Sequence, residues 1–139
     1  MILTPGAYLR RRREAARISP AEIAEMFHTE PRWSEIERRD WLARIEADVE
    51  QPSFRTLVAL RGLFAFDFDV LGDLVLIAHG AAIDPPRLCR CCACSERDAC
   101  DCGGQGCAWV ADDLCSACAG QAVGAALAAN DAARAGAAA

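Results

Sequence analysis

Cysteine is absent from the first 88 residues, lysine is absent throughout, and histidine occurs only twice. All fifteen basic residues are therefore arginine. The longest apolar run, residues 70–83, contains Asp73 and His79 and is shorter than the roughly 20 residues of a membrane-spanning helix. The first nine residues lack the apolar segment of a secretory signal. We therefore expect a cytoplasmic protein without a membrane partner.

The second part of the chain has few large apolar side chains but many thiols. All nine cysteines lie between Cys89 and Cys118, in a segment too short to fold around an ordinary core. An odd number of cysteines in a cytoplasmic chain favours reduced thiols that bind metal over disulfides. We predict two domains, 1–84 and 85–139, which meet at Pro85 and Pro86, and the second ends in an alanine-rich tail.

Two cysteine pairs have the spacing of zinc ligands. Cys89 and Cys92 form one CxxC pair, and Cys115 and Cys118 form another after an intervening loop. Two such pairs offer four thiolates to one tetrahedral zinc ion. With residues 106–110 as a strand of a short β-hairpin and a helix near the second pair, the pattern predicts a treble-clef-like structural zinc module covered by Trp109.

Four further cysteines, Cys94, Cys100, Cys102 and Cys107, are numerous enough for a second tetrahedral site, although their spacing is irregular. An iron–sulfur cluster is the competing interpretation, since it also takes four thiolates. Unliganded thiols are the alternative for Cys91, Cys94 and Cys102. His28 and His79 are distant from this segment in sequence, and we do not expect them to be ligands.

We expect no enzymatic activity. A zinc ion held by four thiolates is closed and offers no open position to a substrate. The cysteine segment contains no histidine, and its single glutamate, Glu96, lies among arginine-flanked turns. This composition does not provide the base and open metal position of a catalytic site.

The first 84 residues carry apolar side chains at helical spacing, interrupted by helix-start signals. Thr4 before Pro5, and Ser19-Pro20 with Glu22, are typical N-caps followed by proline at the first helical position. Trp33 and Trp41 are predicted to be core or helix-staple residues rather than platforms on which bases stack. The pattern predicts a compact domain of about five helices, within residues 5–16, 20–27, 32–49 (one or two helices), 54–64 and 70–78.

Several segments occur in an order that resembles the phage-repressor-like (Xre-type) helix-turn-helix family. They are LRRRREAARIS at 9–19, WLARIE at 41–46, PSFRTLVAL at 52–60 and FDFDVL at 66–71. The cysteine segment, with its CRxC, GCxW and LCxxC elements, also resembles a motif of uncharacterised bacterial and prophage-linked proteins. The first resemblance implies a five-helix helix-turn-helix domain and a phage-associated DNA-binding transcriptional regulator or accessory factor.

By that resemblance, residues 20–27 cross the DNA backbone and residues 38–46 occupy the place of the recognition helix. The candidate contacts to phosphates or bases on double-stranded DNA are all arginines. They are Arg10, Arg12, Arg13, Arg38, Arg39 and Arg44.

The charge pattern keeps other functions open. The formal net charge is −5, and residues 21–50 contain four arginines and nine acids, which would repel phosphate unless the acids point elsewhere. An acidic protein-binding adaptor that keeps only the helix-turn-helix scaffold is therefore an alternative, with residues 70–83 as a partner or homodimer surface. A redox-responsive regulator with an iron–sulfur cluster is a third.

Overall fold

The computed structural model of the chain describes residues 1–137, without the side chains of residues 122–127 and 130–131. It contains two compact units, Met1–Pro86 and the segment that begins at Arg87. About half of the residues are helical, and one small antiparallel sheet of two strands lies in the second unit. We call these parts the helical unit and the cysteine unit.

The helical unit contains the predicted number of helices in the predicted order. Residues 32–49 hold one helix, and the fifth helix starts two residues before the predicted position because the Asp67 carboxylate accepts hydrogen bonds from the Asp69 and Val70 backbone amides. The helices are α1 (Pro5–Ala15), α2 (Pro20–Met26), α3 (Glu35–Glu46), α4 (Phe54–Leu63) and α5 (Phe68–Ala78).

Two helices of this unit begin with complete capping boxes. The Ser19 hydroxyl accepts a hydrogen bond from the Glu22 amide at 3.2 Å, and the Glu22 carboxylate accepts one from the Ser19 amide at 2.7 Å. Ser34 and Glu37 repeat the arrangement at the start of α3. Each box satisfies two amides that the helix itself leaves without partners, which fixes the first residue of the helix.

The core of the helical unit forms where α1, α2, α3 and α5 meet. Tyr8 is fully buried, and its hydroxyl accepts a hydrogen bond from the Asp67 amide at 2.9 Å. Trp41 is a buried core residue, as predicted, with its ring centroid 4.9 Å from that of Phe27. Trp33 is half-buried and packs edge-on against Trp41 at 6.0 Å. The apolar faces of these helices therefore pack against one another, as the helical spacing of their apolar residues predicts.

The cysteine unit is built on a hairpin followed by a helix. Strand β1 (Trp109–Ala111) pairs antiparallel with β2 (Leu114–Cys115), and helix α6 (Ser116–Ala137) follows directly. Because α6 starts at Ser116, Cys118 lies in its first turn. The predicted alanine-rich tail ends in Ala138 and Ala139, which lie outside the described residues.

The hairpin strand begins three residues after the predicted start at Gly106. Gly106 instead forms an isolated bridge with Asp101. Gly103 and Gly104 both adopt positive φ, at 76° and 88°. They reverse the direction of the chain between Asp101 and Gly106. Two consecutive residues of positive φ form the tight turn that suits a two-residue hairpin connection, so residues 101–106 make a separate turn.

Candidate metal centre and arginine surface

The first cysteines lie on a tight turn. The Cys89 amide donates to the Cys94 carbonyl at 3.0 Å, and the Ala93 amide donates to the Cys89 carbonyl at 2.8 Å. Ala93 adopts a positive φ of 56°, which lets the chain fold back on itself. The turn brings Cys89, Cys92 and Cys94 together as buried side chains.

Backbone hydrogen bonds bring the hairpin against this turn. The Arg90 amide donates to the Asp113 carbonyl at 2.8 Å, and the Ser116 amide donates to the Ala108 carbonyl at 2.7 Å. Cys115 is thereby buried, with its sulfur 3.8 Å from that of Cys92. Two segments that are distant in sequence thus present thiols to one another.

The glycine-containing turn contributes two more sulfurs. The Cys107 amide donates to the Cys100 carbonyl at 3.0 Å, and the Cys100 amide donates to the Cys107 sulfur at 3.2 Å. The Cys107 sulfur lies 3.7 Å from that of Cys94, and the Cys100 sulfur lies 3.4 Å from that of Cys92. The three segments therefore share one sulfur-rich interior.

Three groups of cysteines in the described residues have all their sulfurs within 4.8 Å of one another. The first group is Cys89, Cys92, Cys94 and Cys115; the second is Cys94, Cys100, Cys107 and Cys115; the third is Cys89, Cys91 and Cys118. Several arrangements of thiols in this unit are thus able to hold a metal ion such as zinc.

The first group contains three of the four predicted ligands of the primary zinc site. Cys89, Cys92 and Cys115 are joined there by Cys94 in place of Cys118. The Cys118 thiol is also buried and interacts with the thiols of Cys92, Cys115 and Cys89. The CxxC spacing indicated the two ends of the site, but it carried no signal for Cys94, which lies two residues beyond the first pair.

The second predicted set is brought together only in part. Cys94, Cys100 and Cys107 are neighbours, and Cys115 completes their group. Cys102 is exposed at the start of the glycine turn and belongs to none of the groups found among residues 1–137. Cys91, predicted to be spare, is exposed but lies in the third group.

The thiols perturb one another strongly. A hydrogen bond from the Cys94 thiol lowers the pKa of Cys92 to about 4, and the same bond raises the pKa of Cys94. Burial, followed by the hydrogen bond to Cys92, raises the pKa of Cys100 to about 12. Burial likewise raises the pKa of Cys118. A bound cation would take the place of the protons in these contacts between sulfurs.

Trp109 packs against the cysteine cluster, as predicted, together with Leu114. The Arg87 guanidinium lies 4.3 Å above the Trp109 ring, and its Nε donates to the Asp112 carbonyl at 2.7 Å. This cation–π contact fixes the indole over one side of the sulfurs. The aromatic ring supplies much of the apolar cover that so small a unit has available.

Two of the six arginines predicted to contact DNA are buried, so their positions do not allow that role. Arg12 and Arg13 are each only 5% exposed. The Arg12 Nε donates to the Ala65 carbonyl at 3.1 Å, and Arg13 pairs with the Glu46 carboxylate. A run of four arginines spreads around a helix, and these two face the core because the helical unit supplies oxygen acceptors there.

The remaining candidate arginines lie closer to solvent, and those on α3 have partners. The Arg38 Nη1 donates to the Trp33 carbonyl at 2.6 Å. Arg39 lies 3.9 Å from the Glu35 carboxylate, and Arg44 forms a 2.9 Å ion pair with Glu50. Arg10 is exposed on α1. The exposed pairs are weak, and a phosphate is able to compete for such guanidinium groups.

One side of the predicted partner surface at residues 70–83 is buried in the core of the helical unit. Val70, Leu71 and Leu74 are buried in the helical unit. Leu76 and Ile83 remain 53% and 40% exposed, and α5 ends at Ala78. Helix α5 is therefore an ordinary amphipathic helix with some exposed apolar residues, and residues 79–83 lie beyond its end.

Comparison with known proteins gives this chain no family. A scan against protein-family models, a search of curated proteins and a search of solved structures returned no match. None of the described helices combines the length and apolar character needed to cross a bilayer. The geometry of the two units is therefore the basis for any functional argument.

Proposed function

We propose that this chain is a DNA-binding transcriptional regulator or accessory factor whose cysteine unit is organised by zinc. The observation that carries the zinc half is the buried group of Cys89, Cys92, Cys94 and Cys115. Thiolates bound to one tetrahedral ion at about 2.3 Å lie about 3.8 Å from one another. The Cys92–Cys115 distance of 3.8 Å matches that value.

The order of elements supports a treble-clef-like zinc module. A tight turn with Cys89 and Cys92 comes first, the β1–β2 hairpin follows, and Cys118 lies in the first turn of α6. In such a module the ion replaces the apolar core that the segment lacks, so zinc has a structural role.

The sulfur distances favour zinc over a four-iron cluster. In such a cluster each cysteine binds a different iron, and inorganic sulfide separates the irons. The contacts of 3.7 Å and 3.8 Å between cysteine sulfurs suit thiolates that share one ion. Elemental analysis of freshly purified protein tests this assignment. A colourless, zinc-containing protein agrees with it, and a brown, iron-containing protein rejects it.

The DNA half rests on the arrangement of α2 and α3. These two helices pack extensively against each other, and the Phe27–Trp41 ring contact of 4.9 Å lies at their junction. Residues 27–34 connect the two helices and are longer than the three- or four-residue turn of the usual helix-turn-helix. On the exposed side of α3, Arg39 and Arg44 are the proposed phosphate contacts, together with Arg10 on α1.

A salt titration of DNA affinity tests this half. The zinc-loaded full chain is titrated with random-sequence duplex at several salt concentrations, because phosphate contacts make affinity fall with salt. The double variant Arg39→Ala/Arg44→Ala is expected to reduce the salt slope by about 2. Its matched control is Arg55→Ala/Arg61→Ala, which removes two exposed arginines of α4. No binding at low salt, or equal losses in both variants, rejects the proposal.

An acidic protein-binding adaptor is the second candidate function. It is favoured by the carboxylate partners of α3, since Glu35 lies beside Arg39 and Glu50 beside Arg44. Those acids offset the charge that would attract phosphate. Absence of DNA binding in a chain that is folded and zinc-loaded would move the assignment to this adaptor.

A further inference from the structure

Two of the sulfur groups in the cysteine unit share two of their members. Cys94 and Cys115 belong both to the group with Cys89 and Cys92 and to the group with Cys100 and Cys107. The two groups of four therefore contain six different cysteines, because 4 + 4 − 2 = 6. Six sulfurs cannot supply eight separate ligands, but they suffice for two tetrahedra that share an edge.

We propose that the cysteine unit binds two divalent zinc-class ions in one cluster, bridged by the sulfurs of Cys94 and Cys115. Cys89 and Cys92 complete the first ion, and Cys100 and Cys107 complete the second. The proposal rests on the zinc half of the function proposed above and deepens it. It differs from two separate four-cysteine sites and from the ligand set of a treble-clef module, because Cys94 takes the place of Cys118 at the first ion and Cys102 is not a ligand.

Two of the three short sulfur distances support this division, and the third, between Cys92 and Cys100, crosses it. The bridging sulfur of Cys115 lies 3.8 Å from Cys92 of the first ion, and the bridging sulfur of Cys94 lies 3.7 Å from Cys107 of the second. Both match the edge of about 3.8 Å of a tetrahedral zinc–thiolate site. Cys92 and Cys100, now 3.4 Å apart, belong to different ions and move apart when both ions bind.

The six proposed ligands are less exposed than the cysteines left out of the cluster, apart from Cys118. Cys89, Cys92, Cys94 and Cys115 are buried, and Cys100 and Cys107 are half-buried. Cys91 and Cys102 are exposed. Cys118 is buried and interacts with the thiols of Cys92, Cys115 and Cys89, but among the described side chains its sulfur joins no group of four within 4.8 Å. The complete coordination shells are thus the two that share Cys94 and Cys115.

Charge balance also favours shared ligands. Two divalent ions and six thiolates give one cluster of charge 2−. Two separate four-thiolate sites would require eight thiolates and give a total charge of 4− in a chain whose formal charge is already −5. Each bridging sulfur is shared by two cations, which spreads its negative charge and lowers the repulsion between neighbouring thiolates.

Cadmium substitution in the full chain tests the bridge directly. The protein is loaded with ¹¹³Cd under reducing conditions, and the metal content is counted by native mass spectrometry. Two ions per chain and two ¹¹³Cd resonances, each split by coupling through the shared sulfurs, are expected. Two unsplit resonances, or one or three bound ions, overturn the proposal.

Single substitutions separate the bridged cluster from two independent sites. Cys118→Ser is expected to keep both ions, as is Cys102→Ser, whereas Cys94→Ser, which leaves Cys115 as the remaining bridge, is expected to weaken the cadmium–cadmium coupling. Loss of one ion from Cys118→Ser would favour separate sites. The coupling in the unsubstituted chain keeps the test decisive if Cys94→Ser does not fold.

The failures of the two proposals are distinguishable. A chain that binds no metal removes the zinc half of the proposed function together with this inference. A chain with two uncoupled cadmium ions keeps the zinc half and overturns only the shared cluster.

Discussion

Arg13 and Glu46 form a two-point ion pair inside the helical unit, with Nε–Oε1 at 2.6 Å and Nη2–Oε2 at 2.9 Å. The side chains are only 6% and 8% exposed, and Arg13 Nη1 also donates to the Ile18 carbonyl at 2.7 Å. The hydrogen bonds to Glu46 raise the pKa of Arg13. The pair joins α1 to the last residue of α3 and so fixes the position of α3.

Removal of the acidic partner leaves a buried guanidinium without its counter-charge. We expect Glu46→Ala to lower the free energy of unfolding of the helical unit by about 3–5 kcal/mol. The matched control is Glu50→Ala, which breaks the exposed ion pair with Arg44 and should cost about 0–1 kcal/mol. Urea denaturation, followed through the indole signals of Trp33 and Trp41, measures both. Similar losses in the two variants would contradict the assignment of Arg13 to the core.

Gly6 marks a close approach of α1 to the end of α3. Its amide donates to the Asp48 carboxylate at 2.7 Å, and a β-carbon at this position would clash with the Ile45 carbonyl oxygen and lie 2.8 Å from the Glu46 carbonyl. These neighbours are backbone atoms and cannot rotate away. We expect Gly6→Ala to destabilise the helical unit by about 1–3 kcal/mol.

Gly62 provides the opposite control in the same assay. It lies within α4, and a β-carbon there meets nothing within 4 Å. Gly62→Ala should therefore stabilise the helical unit by about 0.5–1 kcal/mol, because alanine favours helix over glycine. Destabilisation by Gly62→Ala, or tolerance of Gly6→Ala, would be inconsistent with this packing.

Local signals predicted the helical unit well. Ser19-Pro20 with Glu22 places the start of α2 at Pro20, because a capping box needs only four consecutive residues. Ser34 and Glu37 carry the same signal for α3, which the spacing of the apolar residues in 32–49 does not reveal. The Arg13–Glu46 pair joins residues 33 positions apart, so no local pattern indicates it.

The cysteine unit was predictable at its ends and not between them. CxxC spacing marks Cys89 with Cys92 and Cys115 with Cys118, since a tight turn determines which thiols face one centre. The role of Cys94 depends on the positive φ of Ala93 and on the position of the hairpin. Those are tertiary features, and irregular spacing carries no information about them.

The capping boxes make part of the helical stability dependent on pH. Hydrogen bonds from the backbone and hydroxyl of Ser19 lower the pKa of Glu22, and those of Ser34 lower the pKa of Glu37. A carboxylate with a lowered folded-state pKa stabilises the fold above its unfolded pKa of about 4.3, and that contribution is lost as the pH falls through the folded value. The helical unit should therefore lose stability in acid.

Substitution by the neutral isostere isolates this effect. Glu22→Gln/Glu37→Gln should flatten the acid dependence of the melting temperature between pH 7 and about pH 3, since glutamine does not titrate. The matched control is Glu25→Gln, because Glu25 lies on α2 outside the capping box. This variant should leave the acid dependence of the melting temperature as in the unsubstituted chain. A parallel shift of the whole curve, with unchanged shape, would exclude the capping carboxylates as its source.

Metal removal should unfold one unit and spare the other, because only the cysteine unit depends on thiolate ligands for its interior. The three tryptophans report this separately: Trp109 packs on the cysteine cluster, and Trp33 and Trp41 lie in the helical unit. After chelation under reducing conditions, the Trp109 indole resonance should move to its unfolded position while the other two stay. Added zinc should restore it. An unchanged Trp109 resonance in verified metal-free protein would show that packing alone holds this unit.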